Sequence, residues 1–146
     1  MIVHAPNAIT EGEIILSVLT RLEGKIRARR RVLVRTGWDA RLETPGYWVD
    51  YPNLAPDAAE WLTDTGVVFL GLDTPSPHRT ESRHLHETLF LGEMVLAECL
   101  VRLGELQRDE VLLIALPLPL SGLDGSAARI VAVDAAPAAL QAWAHL

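Results

Sequence analysis

The 146-residue chain carries 49% hydrophobic and 22% charged residues, a globular balance that excludes the compositions that stay disordered. Its formal charge of -6 argues against nucleic acid as a partner, because a phosphate backbone calls for a basic surface. Cys99 is the only cysteine, which excludes an intrachain disulfide and a cysteine-built zinc cluster and fits a reducing cytoplasm. The length predicts one domain spanning residues 1–146. No basic segment leads into an apolar run at the N-terminus, and no apolar stretch approaches the ~20 residues that span a bilayer, so neither export nor a membrane partner is expected.

Residues 10–30 read as a helix. Thr10 and Glu13 have capping-box spacing, and Ile14, Ile15, Val18, Leu19 and Leu22 recur along one face. Five Lys or Arg residues crowd its end between positions 25 and 31, as a solvated helix terminus does more often than a nucleic-acid patch. Val32, Leu33 and Val34 then predict a buried strand. Residues 36–53 have loop chemistry with Trp38, Tyr47, Trp48 and Tyr51 interleaved, aromatics that suit either a substrate pocket or an interface. Pro56 and Asp57 open a short helix that Gly66 closes, and residues 67–72 form a second buried strand, giving a parallel crossover. Residues 73–83 leave the carboxyl end of that strand, where ligand sites of open α/β sheets lie. Two further strands are predicted at 111–116 and 130–133, and a terminal amphipathic helix at 137–145.

Four stretches carry a family pattern in order and spacing: residues 32–38 (VLVRTGW), 58–62 (AAEWL), 71–76 (GLDTPS), and 114–118 (IALPL) leading to Asp124, Gly125 and Ser126. Together they resemble the cyclase-like metal-dependent hydrolases, the family that includes bacterial kynurenine formamidase, over its C-terminal two-thirds. The resemblance implies an α/β fold, a mixed central sheet flanked by helices, like the family's swivelling β/β/α domain. It also implies that His86 and Glu98, twelve positions apart, are metal ligands. The family's upstream motif, His-x-Gly-Thr-His-x-Asp-x-Pro with a catalytic His after it, has no counterpart in the sequence, so the remaining ligands and the catalytic residue are not assigned.

Physical chemistry weighs these candidates separately. Glu98 lies in an apolar run from Met94 to Leu100, where a carboxylate needs a metal, a proton or a cationic partner. His86 alone would read as an ordinary histidine, and its family position makes it a ligand. An imidazole with a carboxylate suits zinc or manganese. His84 would point away from His86, and His4, His78 and His145 have no evident partner. Glu87 and Glu93 read as surface charges, Cys99 as packed rather than nucleophilic, and Asp73 as a loop organiser bonding Thr74, Ser76 or nearby backbone. Asp124, Gly125 and Ser126 read as a tight turn.

The function implied is hydrolysis of a small amide, formamide or cyclic substrate at a metal centre that this sequence holds in part. The alternative is an inactive scaffold or binding protein of the same fold. With the family's N-terminal strands missing, an unpaired strand edge and an apolar face predict a homo-oligomer.

Overall fold

A computed structural model describes residues 2–5, 12–136 and 138. In chain order its elements are β1 (Ile2–Ala5), β2 (Glu13–Ile14), α1 (Leu16–Thr20), α2 (Glu23–Arg29), β3 (Arg31–Val34), β4 (Asn53–Leu54), α3 (Pro56–Asp64), β5 (Phe69–Leu72), α4 (Ser82–Leu91), β6 (Val95–Ala97), β7 (Glu110–Pro117) and β8 (Ala128–Val133). Six strands make one mixed sheet in the order β6-β5-β3-β1-β7-β8. The first four of these run parallel, and β7 and β8 close the sheet antiparallel. The short strands β2 and β4 pair separately.

Successive strand residues point to opposite faces, and both faces here are covered. Val32, Val34, Leu70 and Leu72 pack against Leu19, Leu62, Leu85 and Leu89 of α1, α3 and α4. Leu33 turns the other way, onto Leu100, Leu103 and Val111. Two buried faces explain why β3 and β5 read as unbroken apolar runs rather than alternating ones. The fold is the expected α/β mixed sheet, with the α3 crossover joining parallel β3 to β5 and Pro56 at the first turn of α3.

The predicted helix over 10–30 is instead a strand residue pair and two short helices. Ile14 is buried in β2, opposite Leu54, so backbone pairing takes the place of the helix start. Glu13 therefore stands in a strand rather than in the first turn of a helix, and Thr10 of the expected capping box lies outside the described residues. Helical periodicity survives on either side of the break: Leu19 and Ile26, two turns apart, are both fully buried. The terminal helix over 137–145 also falls outside the described residues, apart from Ala138. The sequence reading missed α4 and β6.

Three of the five residues of the basic cluster pair with the chain's own acids. Lys25 meets Asp109 at 2.6 Å, Arg27 meets Glu23 at 2.7 Å, and Arg29 meets Glu110 at 2.8 Å. Among the described residues no helix is long and apolar enough to cross a membrane.

Gly71 lies where β5 passes under Leu33 and Leu100. A Cβ there would come within 2.5 Å of Leu33 Cδ2 and 2.8 Å of Leu100 Cδ1. Alanine can be accommodated by shifting two leucine termini, whereas a branched side chain cannot. Gly71→Val is expected to destabilise the fold by about 2–3 kcal/mol, read as an earlier urea midpoint at unchanged slope, and Gly71→Ala by roughly half that.

Candidate metal centre

Three parallel strands end side by side, and each delivers a polar residue to the same edge: β3 leads to Thr36 and Gly37, β5 to Asp73, and β6 to Glu98. Carboxyl edges of this kind are where open α/β sheets hold ligands.

Asp73 is the anchor of that edge. It is fully buried and accepts hydrogen bonds from the Thr36 N–H at 2.9 and 3.0 Å to its two oxygens, the Thr36 hydroxyl at 2.7 Å and the Gly37 N–H at 2.7 Å. Burial pushes its carboxyl above the usual carboxylate range, and the Thr36 and Gly37 donors pull it back. The expected structural role is kept and the partners are corrected. The register that sets Val34 beside Leu72 brings residues 36 and 73 together, so Asp73 holds the loop after β3 instead of bonding Thr74 or Ser76. Thr74 donates to the Ser76 carbonyl instead, at 3.0 Å.

His86 and Glu98, twelve positions apart in sequence, meet in space. His86 Nε2 stands 3.3 Å from Glu98 Oε1, with about a quarter to a third of each side chain exposed, 26% and 31%. Helix α4 presents His86 across the end of β6, and Ser82, one turn earlier, orients the ring. The Ser82 carbonyl is 2.7 Å from His86 Nδ1, and a carbonyl only accepts, so Nδ1 carries a proton and Nε2 is the nitrogen turned toward Glu98. The Ser82 hydroxyl lies 3.2 Å from the same nitrogen and 2.8 Å from the Ser76 hydroxyl.

His86 Nε2 thus faces a carboxylate oxygen across 3.3 Å. Glu98 Oε1 is buried and makes no well-aligned hydrogen bond, and a proton on His86 Nε2 would turn the close approach into an ion pair. Burial raises the Glu98 carboxyl above its ordinary range, and His86 pulls in the opposite direction. Two acceptors in this arrangement need a proton or a cation between them. An imidazole whose far N–H is fixed by a backbone carbonyl, set against an orphaned carboxylate, fits a divalent metal. Among the described residues no group of three or more His, Cys, Asp or Glu forms a fuller ligand set.

The other candidates separate from this pair. His84 is exposed on α4. His78 is buried, and its Nδ1 accepts from the Thr80 and Glu81 N–H groups at 3.3 and 3.0 Å, which shapes the turn into α4. The side chain of His4 and all of His145 lie outside the described residues. Glu87 pairs with Arg83 at 2.9 Å and Glu93 is exposed. Trp38, Tyr47 and Tyr51 are buried in a small cluster with Cys99 packed on it, while Trp48 is 65% exposed. Three of the four aromatics therefore build the floor of the loop rather than an open pocket or an interface. Tyr47 Oη, beside Cys99, is buried without a hydrogen-bond partner, and burial raises its hydroxyl well above the ordinary phenol range. Sequence reasoning missed Ser82 and read Ser76 only as a partner for Asp73. The available signal was the four-residue spacing of Ser82 and His86, one helical turn.

Residues 3–79 match the family described as Putative cyclase. Over 104 residues the chain is 39% identical to a kynurenine formamidase of Bordetella petrii, covering 69% of this chain and 48% of that protein. A kynurenine formamidase of Bordetella pertussis is 40% identical over 104 residues, with the same coverage. The chain thus spans about half the length of the curated relatives it matches. In fold it is similar to a solved potential metal-dependent hydrolase with cyclase activity, with a TM-score of 0.73 and 24% identity over 93% of this chain and 65% of that one.

Proposed function

The chain belongs to the cyclase-like family of metal-dependent hydrolases, and from that premise we propose that it serves the hydrolysis of a small amide or formamide at a divalent metal, zinc or manganese, held in part by His86 and Glu98. The observation that carries this reading is the approach of His86 Nε2 to the buried Glu98 Oε1 at 3.3 Å. When bound, the metal would supply Lewis acidity and an activated water for attack on a carbonyl. The chain's own residues do the holding. Ser82 fixes the His86 tautomer, and Ser76 steadies the Ser82 hydroxyl. Asp73 clamps the loop after β3 beside the site. Further ligands and the general base come from outside the described residues. The relatives to which the chain is similar are kynurenine formamidases, which makes a formamide the substrate class to test first.

Elemental analysis of the purified chain tests the reading. Near-stoichiometric zinc or manganese that falls to background in His86→Ala, with hydrolysis of the kynurenine formamide by the wild type, is the expected result. A wild-type chain that takes up neither metal on dialysis against it would favour the scaffold reading, because two ligands alone make a weak site.

A further inference from the structure

Helix α4 carries three stripes at four-residue spacing, and each faces a different environment. Leu85 and Leu89 are buried in the core. Arg83 and Glu87 pair at 2.9 Å in solvent. The third stripe is Ser82, His86 and Phe90, and its first two members already belong to the candidate site. Phe90 is the member without a role. Its side chain is 51% exposed, yet it does not stand free: its ring centroid is 5.5 Å from that of His86, with the two planes tilted by 60°. Aromatic rings attract at that separation.

The two neighbours hold the imidazole from opposite sides. Ser82 takes Nδ1 from the preceding turn, its carbonyl accepting at 2.7 Å. Helical side chains lean toward the N-terminus, so Phe90, one turn further on, leans back over His86. The edge of the imidazole turned away from Ser82 carries Nε2, the atom 3.3 Å from Glu98 Oε1. One hydrogen bond fixes one edge of a ring, and contact on a second side fixes its plane.

The backbone beneath Phe90 is pinned as well. The Glu93 N–H donates to the Phe90 carbonyl at 2.9 Å, and the Met94 N–H to the Leu89 carbonyl at 3.3 Å. Glu93 takes a φ of 55°, a left-handed conformation that turns the chain at the helix end. Residues 92–94 alone connect α4, which carries His86, to β6, which leads to Glu98. Phe90 therefore stands at the junction of the two ligand-bearing elements.

We propose that Phe90 is a positioning residue of the metal centre, one that holds the His86 imidazole with Nε2 toward Glu98. It acts through His86 and touches no metal. The inference deepens the proposed hydrolase site and rests on it for its effect on metal, whereas the ring contact is a property of the metal-free chain.

Nuclear magnetic resonance of the labelled, metal-free chain tests the proposal. Three-bond couplings across the His86 Cα–Cβ bond are expected to report one rotamer in the wild type, with through-space contacts between the Phe90 and His86 rings. Phe90→Ala is expected to give rotamer-averaged couplings at a nearly unchanged urea midpoint, because about half of the side chain is already in water. Phe90→Tyr keeps the ring and is expected to restore the single rotamer. Leu91, which is 85% exposed and lies off the stripe, supplies the control: Leu91→Ala is expected to leave His86 as it is. In zinc titration of the same proteins, affinity is expected to be about 10-fold lower in Phe90→Ala and regained in Phe90→Tyr. A wild-type His86 that samples several rotamers, a Phe90→Ala chain that keeps one, an unchanged zinc affinity, or a tyrosine variant as weak as the alanine one would each overturn the proposal. If Phe90→Ala fails to fold, the wild-type couplings and ring contacts still decide it. A wild type that takes up no zinc sinks the hydrolase reading instead, and the couplings, read without metal, still decide the role of Phe90.

Discussion

Asp73→Ala is expected to lower the folding free energy by about 3–5 kcal/mol, because it strands three donors that now converge on one buried carboxylate. The Asp73 carboxylate is fully buried, so water does not replace the lost acceptor cheaply. Asp73→Asn keeps one acceptor oxygen but turns an NH₂ toward N–H donors, so a loss of about 2–3 kcal/mol is expected. Urea denaturation of both variants against the wild type measures the difference. The pH dependence follows from the raised carboxyl. The folded state then binds the proton more tightly than the unfolded chain, so the share of stability that Asp73 contributes is fullest in acid below its unfolded value. It declines as pH rises through the window just above the ordinary carboxylate range. The stability gap between wild type and Asp73→Ala should therefore narrow across that window. A gap that widens with pH would mean that the donors outweigh the burial.

Glu98→Gln separates a ligand from a structural residue by moving two properties in opposite directions. As a ligand, Glu98 supplies the only carboxylate facing His86 Nε2 among the described residues, and an amide oxygen is a much poorer donor to zinc or manganese. Metal affinity is expected to fall at least ~100-fold, more than the loss of an outer-shell partner costs. In the metal-free chain the same change is favourable. With His86 neutral and its proton on Nδ1, a Gln amide can donate to Nε2, and it replaces a carboxylate that burial disfavours. Stability of the metal-free protein is expected to rise by about 1 kcal/mol. Thermal unfolding with and without chelator, beside metal titration, reads both quantities. Loss of stability in the metal-free variant would show that Glu98 already has a cationic partner, a protonated His86 included, and would remove the main physical argument for the site.

The sequence by itself determined the strands around 32–34, 67–72, 111–116 and 130–133, the helix after Pro56, and the family. It could do so because each element is specified locally: a β-branched run, a proline at a first helical turn, and motifs that keep their order. Glu98 was legible for the same kind of reason, since a carboxylate between Met94 and Leu100 conflicts with its neighbours and asks for a partner. Pairing is different. Ile14 belongs to a strand because Leu54 lies opposite it, and helical spacing around Leu19 and Ile26 hides that fact.

Asp73 chose Thr36 and Gly37 over its sequence neighbours because parallel register places the ends of β3 and β5 together. The aromatics of the 36–53 loop, legible as rings, had no address until Trp38, Tyr47 and Tyr51 closed on one another. Most consequentially, only the tertiary structure set His86 Nε2 against Glu98 and hung its other nitrogen on the Ser82 carbonyl. Composition and periodicity record what each residue prefers. Contacts across twelve or thirty-seven positions depend on which strand ends lie together.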